Sequence, residues 1–517
     1  MTVFDRHPLC GKRLPPARRI SAGAARPLAI LAVAAGLSAC AGIDGPPGGI
    51  VAREIPSDKL CTKDLYEENP PPGFDVKNHV FAVDHEGRYD GSVIAVGDAA
   101  RGDFETQFVK ILEAHARFRR RPEAAGKPNR ILLFINGGMN TVSTGLERAA
   151  EQAPCMLKAG YFPIFLIWHT GLFDSYWQQV ARVRNGHLYA GVRATTPLYV
   201  LADVGQGIAR APATYLSQLG RYLDGVALRG KPVVTTSRLN VRFDGPNEDT
   251  ERLLIGGLIF TLTAPAKVLT TPFTDAMGKT AWENMVRRAR TTVRKPAEFD
   301  GRRRDGSEIR RYPKGTGGFS KFFSELEKCI NRERECVAKE IGRSLADAEL
   351  TLIGHSLGTM VLNDLIRLYD NLPYRNVVYM AAANSIREFL NTVVPVMKRK
   401  QELRFYNLSL HPVADAREIT GLGSTPSGSL LEWVDEIYEN PATMLDRTLG
   451  KWVNVAAAEH VFPDDVRGRM LFKIFGFRRP NSETNDPGDP TDHGAFNDTE
   501  MHYWLPDFWG RPEDWPY

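Results

Sequence analysis

Residues Glu349–Thr359 read E-L-T-L-I-G-H-S-L-G-T, and helical periodicity continues from there through Tyr369. A strand that passes into a helix within a few residues brings the two elements too close for a Cβ, and the glycines at 354 and 358 sit where that squeeze falls. An apolar run as short as Leu350–Ile353 cannot bury itself, so the turn also demands a sheet around it.

The sheet is foreshadowed by seven further apolar runs: His79–Val83, Ser92–Val96, Ile131–Ile135, Ile164–Trp168, Val377–Met380, Leu403–Leu408 and Met470–Phe475. Most are continuous rather than alternating, the pattern of parallel strands covered on both faces, and helical periodicity fills 104–119, 143–158, 357–369 and 384–398. The expected class is α/β, a mostly parallel eight-stranded sheet with helices on both faces. The spacing breaks once: about 180 residues separate Trp168 from Leu350, far more than a crossover needs, so 170–348 is read as an inserted cap. Within it Leu253–Ala266 (LLIGGLIFTLTAPA) is nearly all apolar, and Arg287–Lys314 carries eleven Lys/Arg against four acids. The apolar run is too short to span a bilayer and contains Pro265; it is expected either to wall a pocket and touch membrane or to be a buried cap helix beside a solvated basic loop.

With 43% apolar and 25% charged residues the chain has a globular composition, and its net charge of +5 needs locating before it suggests a polyanion partner. Residues 1–39 hold six Lys/Arg and one acid, which leaves 60 basic and 60 acidic residues in the remainder. The excess therefore belongs to a targeting segment, and no nucleic-acid surface is expected. Residues 6–26 form a basic region, Pro27–Gly36 an apolar one, and Leu37-Ser38-Ala39-Cys40 resembles a bacterial lipobox. That resemblance implies a signal peptide over 1–39, a lipidated Cys40 and, with Ala41 instead of Asp after it, an outer-membrane anchor on the periplasmic side. Residues 40–75, with GIDGPPGGI and ENPPPGF, read as a tether, and 76–517 as the folded body. Four cysteines remain for an oxidising compartment: Cys61, Cys155, Cys329 and Cys336. Seven residues of helix would hold Cys329 and Cys336 about 10 Å apart, so those two can bridge only if the helix breaks between them.

Gly354-His355-Ser356-Leu357-Gly358 between strand and helix resembles the nucleophile elbow of the α/β-hydrolase superfamily, and the resemblance extends over roughly 76–510 apart from the insert. It implies nucleophile, acid and base in that order. Ser356 takes the first role; His355 lies on the elbow with its ring directed away from the Ser356 hydroxyl and is not assigned as base. After the run 403–408, Asp415 occupies the family's place for the acid, with Glu418 a nearby rival and Asp435 a distant one. His493, in Asp-His-Gly-Ala-Phe after a Pro/Gly/Asp-rich loop, takes the place of the base, ahead of His502 and His460. The oxyanion hole would use the N–H groups of Leu357 and of Gly138, the latter in Asn136-Gly137-Gly138-Met139, which resembles the family's HGG-type turn with Asn for His.

The resemblance implies a lipid-anchored hydrolase of carboxylic esters, its substrate an acyl ester compatible with lipid or phospholipid, with no metal and no cofactor. The rival expectation is a catalytically silent envelope lipoprotein that uses the same scaffold for binding or assembly. Gly278-Lys279-Thr280 lacks the earlier glycine of a phosphate loop, having Phe273 there, and Gly205-x-Gly207 lacks a third glycine, so no nucleotide site is expected.

Overall fold

The computed structural model describes residues 73–513 apart from 94–102, 123, 185–186, 189–192, 228–235, 237, 245–271, 273–274, 296–315, 334–335, 339–340, 346, 419–427 and 482–485. The expected signal peptide, Cys40, nearly all of the tether and the apolar run 253–266 lie outside the described residues. In chain order the principal elements are β1 (Val80–Ala82), α1 (Phe104–Arg119), β2 (Asn129–Ile135), α2 (Val142–Lys158), β3 (Tyr161–Ile167), α3 (Leu172–Arg182), α4 (Thr196–Ala227) and β4 (Val241–Asp244). There follow α5 (275–292), α6 (Gly318–Ile330), β5 (Ala348–His355), α7 (Gly358–Leu368), β6 (Tyr374–Met380), α8 (Ile386–Arg399), β7 (Arg404–Ser409), α9 (Pro412–Arg417) and β8 (Met470–Phe475).

Eight strands form one sheet in the order β1-β3-β2-β5-β6-β7-β8-β4, and every neighbouring pair is parallel. The expected class is correct. The continuous apolar runs are explained by burial: β3 and β8 have no position open to water. Helix starts are set by side-chain caps, Asp103 on α1, Thr141 on α2 and Ser385 with Glu388 in a capping box on α8. From β2 the chain proceeds through α2 to β3 on one side, and from β5 through α7 to β6 on the other. The order therefore reverses between β2 and β5, and a crevice opens at their carboxyl ends, the place where open parallel sheets receive ligands.

One expected strand is missing and one unexpected strand takes its place. Gly91–Val93 is a turn of 3₁₀ helix held by Asp90, whose carboxylate accepts from the N–H and the hydroxyl of Ser92, so no strand forms over 92–93. The eighth strand is instead β4, in the middle of the expected cap, where Phe472 and Val241 share a register beside β8. Its sequence, Val-Arg-Phe-Asp, lacks the apolar continuity that marked the others because it is an edge strand, flanked by a neighbour on one side only.

Helix α6 ends at Ile330 with Asn331 as its C-cap, Arg332 adopts φ +57°, and the chain folds back so that Cys329 and Cys336 form a disulfide with their Cα atoms 4.9 Å apart. The helix thus breaks where the bridge required it to. Cys155 is disulfide-bonded as well. The loop closed by Cys329–Cys336 is short, and the chain-entropy account gives it about 2–3 kcal/mol. Replacing both cysteines by serine should lower the unfolding free energy by about that amount in denaturant titrations; an unchanged midpoint would mean that the turn is held by its packing alone.

Candidate active site

Ser356 follows β5 directly and takes φ +50°, the left-handed conformation that a residue with a Cβ adopts only when its surroundings compel it. They do. Its N–H donates to Met380 O at 2.9 Å, and its carbonyl accepts from Thr359 N at 3.1 Å, Thr359 Oγ1 at 2.6 Å and Ala383 N at 3.2 Å. A Cβ on Gly358 would stand 2.6 Å from Ile135 O, and one on Gly354 would stand 2.7 Å from Leu362 Cδ1. Both glycines are therefore there for the close approach of strand and helix. With the main chain locked, the Ser356 hydroxyl lies buried with no hydrogen-bond partner. Leu357 is the N-cap of α7, where the leading N–H groups of a helix have no intrahelical acceptor.

Register brings the second loop to the same point. Ile135 pairs with Gly354, so the chain leaving β2 at Asn136 runs alongside His355 and Ser356. A Cβ on Gly137 would lie 2.8 Å from Ser356 Cβ and 2.9 Å from His355 Nδ1, whereas one on Gly138 would lie 3.4 Å from Met285 Sδ and 3.5 Å from Leu357 Cδ2. Gly137 is thus the residue pressed against the elbow, and Gly138 turns toward α5. Three carbonyls of this loop are tied down. Asn136 O accepts from Trp168 Nε1 at 3.1 Å, Gly137 O from Thr170 Oγ1 at 3.1 Å and Asn140 Nδ2 at 3.2 Å, and Gly138 O from Asn140 Nδ2 at 2.9 Å. In a planar trans peptide the N–H points opposite to the C=O, so fixing the Gly137 carbonyl fixes the direction of the Gly138 N–H. Sequence reading found the two glycines but not Trp168, Asn140 and Thr170, whose part depends on the β2–β3 pairing.

His493 arrives on the loop after β8. Asp492 turns that loop by accepting from the N–H groups of Gly494 and Ala495, both at 3.0 Å. The His493 carbonyl accepts from His355 Nε2 at 2.8 Å, and the two rings lie 5.1 Å apart at 45°. Because Nε2 of His355 faces a carbonyl it carries the proton, which leaves Nδ1 to accept from Asn497 Nδ2 at 3.3 Å. Burial lowers the His355 pKa to about 4, so this ring is neutral and clamps the 493–497 loop to the elbow. It makes no bond to the Ser356 hydroxyl. Both ring nitrogens of His493 are buried and unpartnered, and burial, then the neighbouring His355, pushes its pKa well below the usual histidine value.

The main chain of residue 493 is thus held at the elbow that carries Ser356 and Leu357, with the Gly137–Gly138 loop beside it, while neither ring nitrogen of His493 bonds the Ser356 hydroxyl. Asp415 is not on the His493 ring. It lies in α9, accepts from the Ser429 hydroxyl, and shares its interior with Glu432, Asp435 and Lys451, whose Nζ is 2.7 Å from Glu432 Oε1 and 3.6 Å from Asp435 Oδ2. Burial first, and then the Glu432 carboxylate, push the Asp415 pKa up to about 7. Glu418 is the carboxylate that touches residue 493: its Oε2 accepts from the His493 N–H at 2.9 Å. Asp435 is consumed by Thr448, Asn454 and Lys451. His502 packs edge-on against Trp504, and His460 is exposed on a 3₁₀ turn.

The cap roofs this centre. Met285 on α5 covers Gly138, and Arg288 on the same helix, itself buried, donates to His169 O and Ser175 Oγ, each at 2.9 Å, which fastens α5 beside the end of β3. Ser356 is left 1% exposed and His493 7%. Among the described residues no group of three His, Cys, Asp or Glu side chains is placed to hold a metal ion. Comparison with family models, with curated proteins and with solved structures returns no match.

Glu418 supplies a test of the site's electrostatics. Burial pushes its pKa from 4.5 up to about 8, so between those values the unfolded chain has released a proton that the folded chain still holds. Stability should fall as pH rises through that window. Glu418→Gln keeps an acceptor for the His493 N–H and removes the titration, so its melting temperature should decline less than the wild type's between pH 4.5 and 8; parallel profiles would show that Glu418 is ionised in the folded protein.

Proposed function

We propose that this chain is a serine hydrolase of the α/β-hydrolase type that cleaves carboxylic esters through an acyl-enzyme, carried on a lipid anchor at Cys40 on the periplasmic face of an outer membrane. The observation that carries the reading is a buried, unpartnered serine hydroxyl at φ +50° in a strand–helix turn, with an unpartnered imidazole on a loop clamped to the same turn. An ordinary structural serine would spend its hydroxyl on a hydrogen bond. A nucleophile instead has to keep it for the proton acceptor that substrate binding completes.

In the proposed sequence the neutral His493 takes the Ser356 proton as Oγ adds to the acyl carbonyl. The Leu357 and Gly138 N–H groups hold the oxyanion, and His493⁺ protonates the departing alkoxide. Water, deprotonated by His493, then adds to the acyl-enzyme; collapse releases the carboxylic acid and returns the proton to Ser356. The roof formed by α5 has to shift for an ester to enter, and it excludes bulk water afterwards. Of the two carboxylates after β7, Glu418 holds the main chain of residue 493, whereas Asp415 must first give up the Ser429 hydroxyl to reach its ring. An acyl ester of a lipid or phospholipid fits the proposed location.

Ser356→Ala should reduce turnover of a p-nitrophenyl ester at least about a thousandfold. It should leave stability equal or higher by up to about 1 kcal/mol, since a buried hydroxyl without a partner is lost. A fluorophosphonate that forms no adduct on Ser356 in the folded protein would favour the silent scaffold. The acid is decided by a pair of variants. If Glu418 orients His493 through its main-chain N–H, Glu418→Ala, which removes that acceptor, should cost kcat much more than Asp415→Asn does, with little change in KM and with Glu418→Gln retaining most of the rate; the reverse ranking would return the role to Asp415.

A further inference from the structure

Helix α4 turns an uncharged apolar face to water. Leu198, Leu201, Ile208 and Leu216 are each between 59% and 69% exposed, and at Gly205 an added Cβ would meet nothing within 4 Å. With Pro212 these positions follow one another at steps of three and four, so they form one stripe along the helix. Of the exposed positions from 197 to 216 none is charged, and Gln206 and Tyr199 alone carry polar groups. The opposite face packs on its neighbours: Arg210 pairs with the buried Asp275 of α5 at 2.7 Å, Thr214 Oγ1 donates to the same carboxylate at 3.1 Å, and Gly207 admits the Pro272 carbonyl. Two aromatics one turn apart on α3, Phe173 at 58% and Trp177 at 60% exposed, add to the apolar surface, and Thr196 Oγ1 ties α4 to α3 through Val180 O at 3.3 Å.

A helix that keeps its charged residues on the packed side and turns only apolar and uncharged residues outward is not built for water on that face. We propose that the exposed face of α4, with Phe173 and Trp177, docks on the surface of a lipid bilayer. Exposed Trp, Phe and Tyr beside leucines suit the boundary between headgroups and acyl chains. No helix among the described residues is long and apolar enough to cross a membrane, so α4 would lie in the interface. The chain outside the structure supplies the proximity: if Cys40 is lipidated, as the proposed function holds, only 32 residues separate the anchor from Gly73, so the body is tied to the same membrane. The inference rests on that anchor.

The test uses the full chain with Ile208→Cys labelled by an environment-sensitive nitrobenzoxadiazole dye, reconstituted in vesicles of phosphatidylethanolamine and phosphatidylglycerol. Gln401→Cys, exposed before β7, is the control, Leu201→Cys the second position, and wild type sets the labelling background. Docking predicts a blue shift on adding vesicles and loss of emission to doxyl-labelled lipid at Ile208→Cys and Leu201→Cys but not at Gln401→Cys. Emission already blue-shifted without lipid and untouched by the doxyl group would overturn it in favour of cover by the chain's own 253–266 run. A lipid-independent shift that grows with protein concentration would assign the face to a second copy, and solvent-like emission throughout would leave it uncovered. Either result refutes docking. The mass of the Cys40 peptide and fluorophosphonate labelling of the same preparation report separately on the anchor and on the hydrolase reading.

Discussion

The structure depends on how closely the ends of β2 and β5 can approach. At their carboxyl ends three glycines, 137, 354 and 358, stand where an added Cβ would come within 2.6 to 2.8 Å of another residue. That proximity forces Ser356 into a left-handed conformation and brings its Cβ against Gly137. A larger residue at any of the three would push the strands' ends apart, at a cost typical of overpacked cores, about 1–3 kcal/mol. The elbow and the loop beside it are therefore one object, made by the parallel register of two strands that are distant in sequence.

Around that object the polar groups divide into two kinds. Trp168, Thr170, Asn140, His355 and Asn497 spend their hydrogen bonds on main-chain atoms or on one another, and so hold peptides and loops in a fixed direction. The Ser356 hydroxyl and the His493 ring spend none, although both are buried. Burial without a partner costs free energy, and it is tolerated here at two groups that lie on either side of a clamp formed by one neutral histidine. The ionisable groups behind the loops are tied up separately: Lys451 pairs with Glu432 and Asp435, and Ser429 donates to Asp415.

What could be read from the sequence follows how local its cause is. Strands buried on both faces announce themselves by unbroken apolar runs, and the elbow by two glycines around a serine, because each constraint acts within a few residues. β4 escaped because an edge strand needs no continuous apolar run and its Arg242 and Asp244 disguise it. The Cys329–Cys336 bridge was legible as a condition, that the helix must break, while the break itself, at Asn331 and Arg332, carries no glycine or proline to announce it. The contact of Glu418 with His493 spans 75 residues and is created by two loops that follow β7 and β8, adjacent strands whose pairing no local pattern specifies.

The position of β4 also bears on how this chain is divided. The insert between β3 and β5 does not sit on the sheet as a detachable lid, since it completes the sheet at the edge farthest from β1. Excising 170–348 would bare the flank of β8, a fully buried strand with its hydrogen-bonding groups unmet, and an open apolar edge invites pairing between chains. The roof and the scaffold are in this sense inseparable. The covering over Ser356 and the last strand of the sheet belong to one stretch of chain, so α4, α5 and the segments around them can be altered without opening the sheet only where the four residues of β4 stay in place.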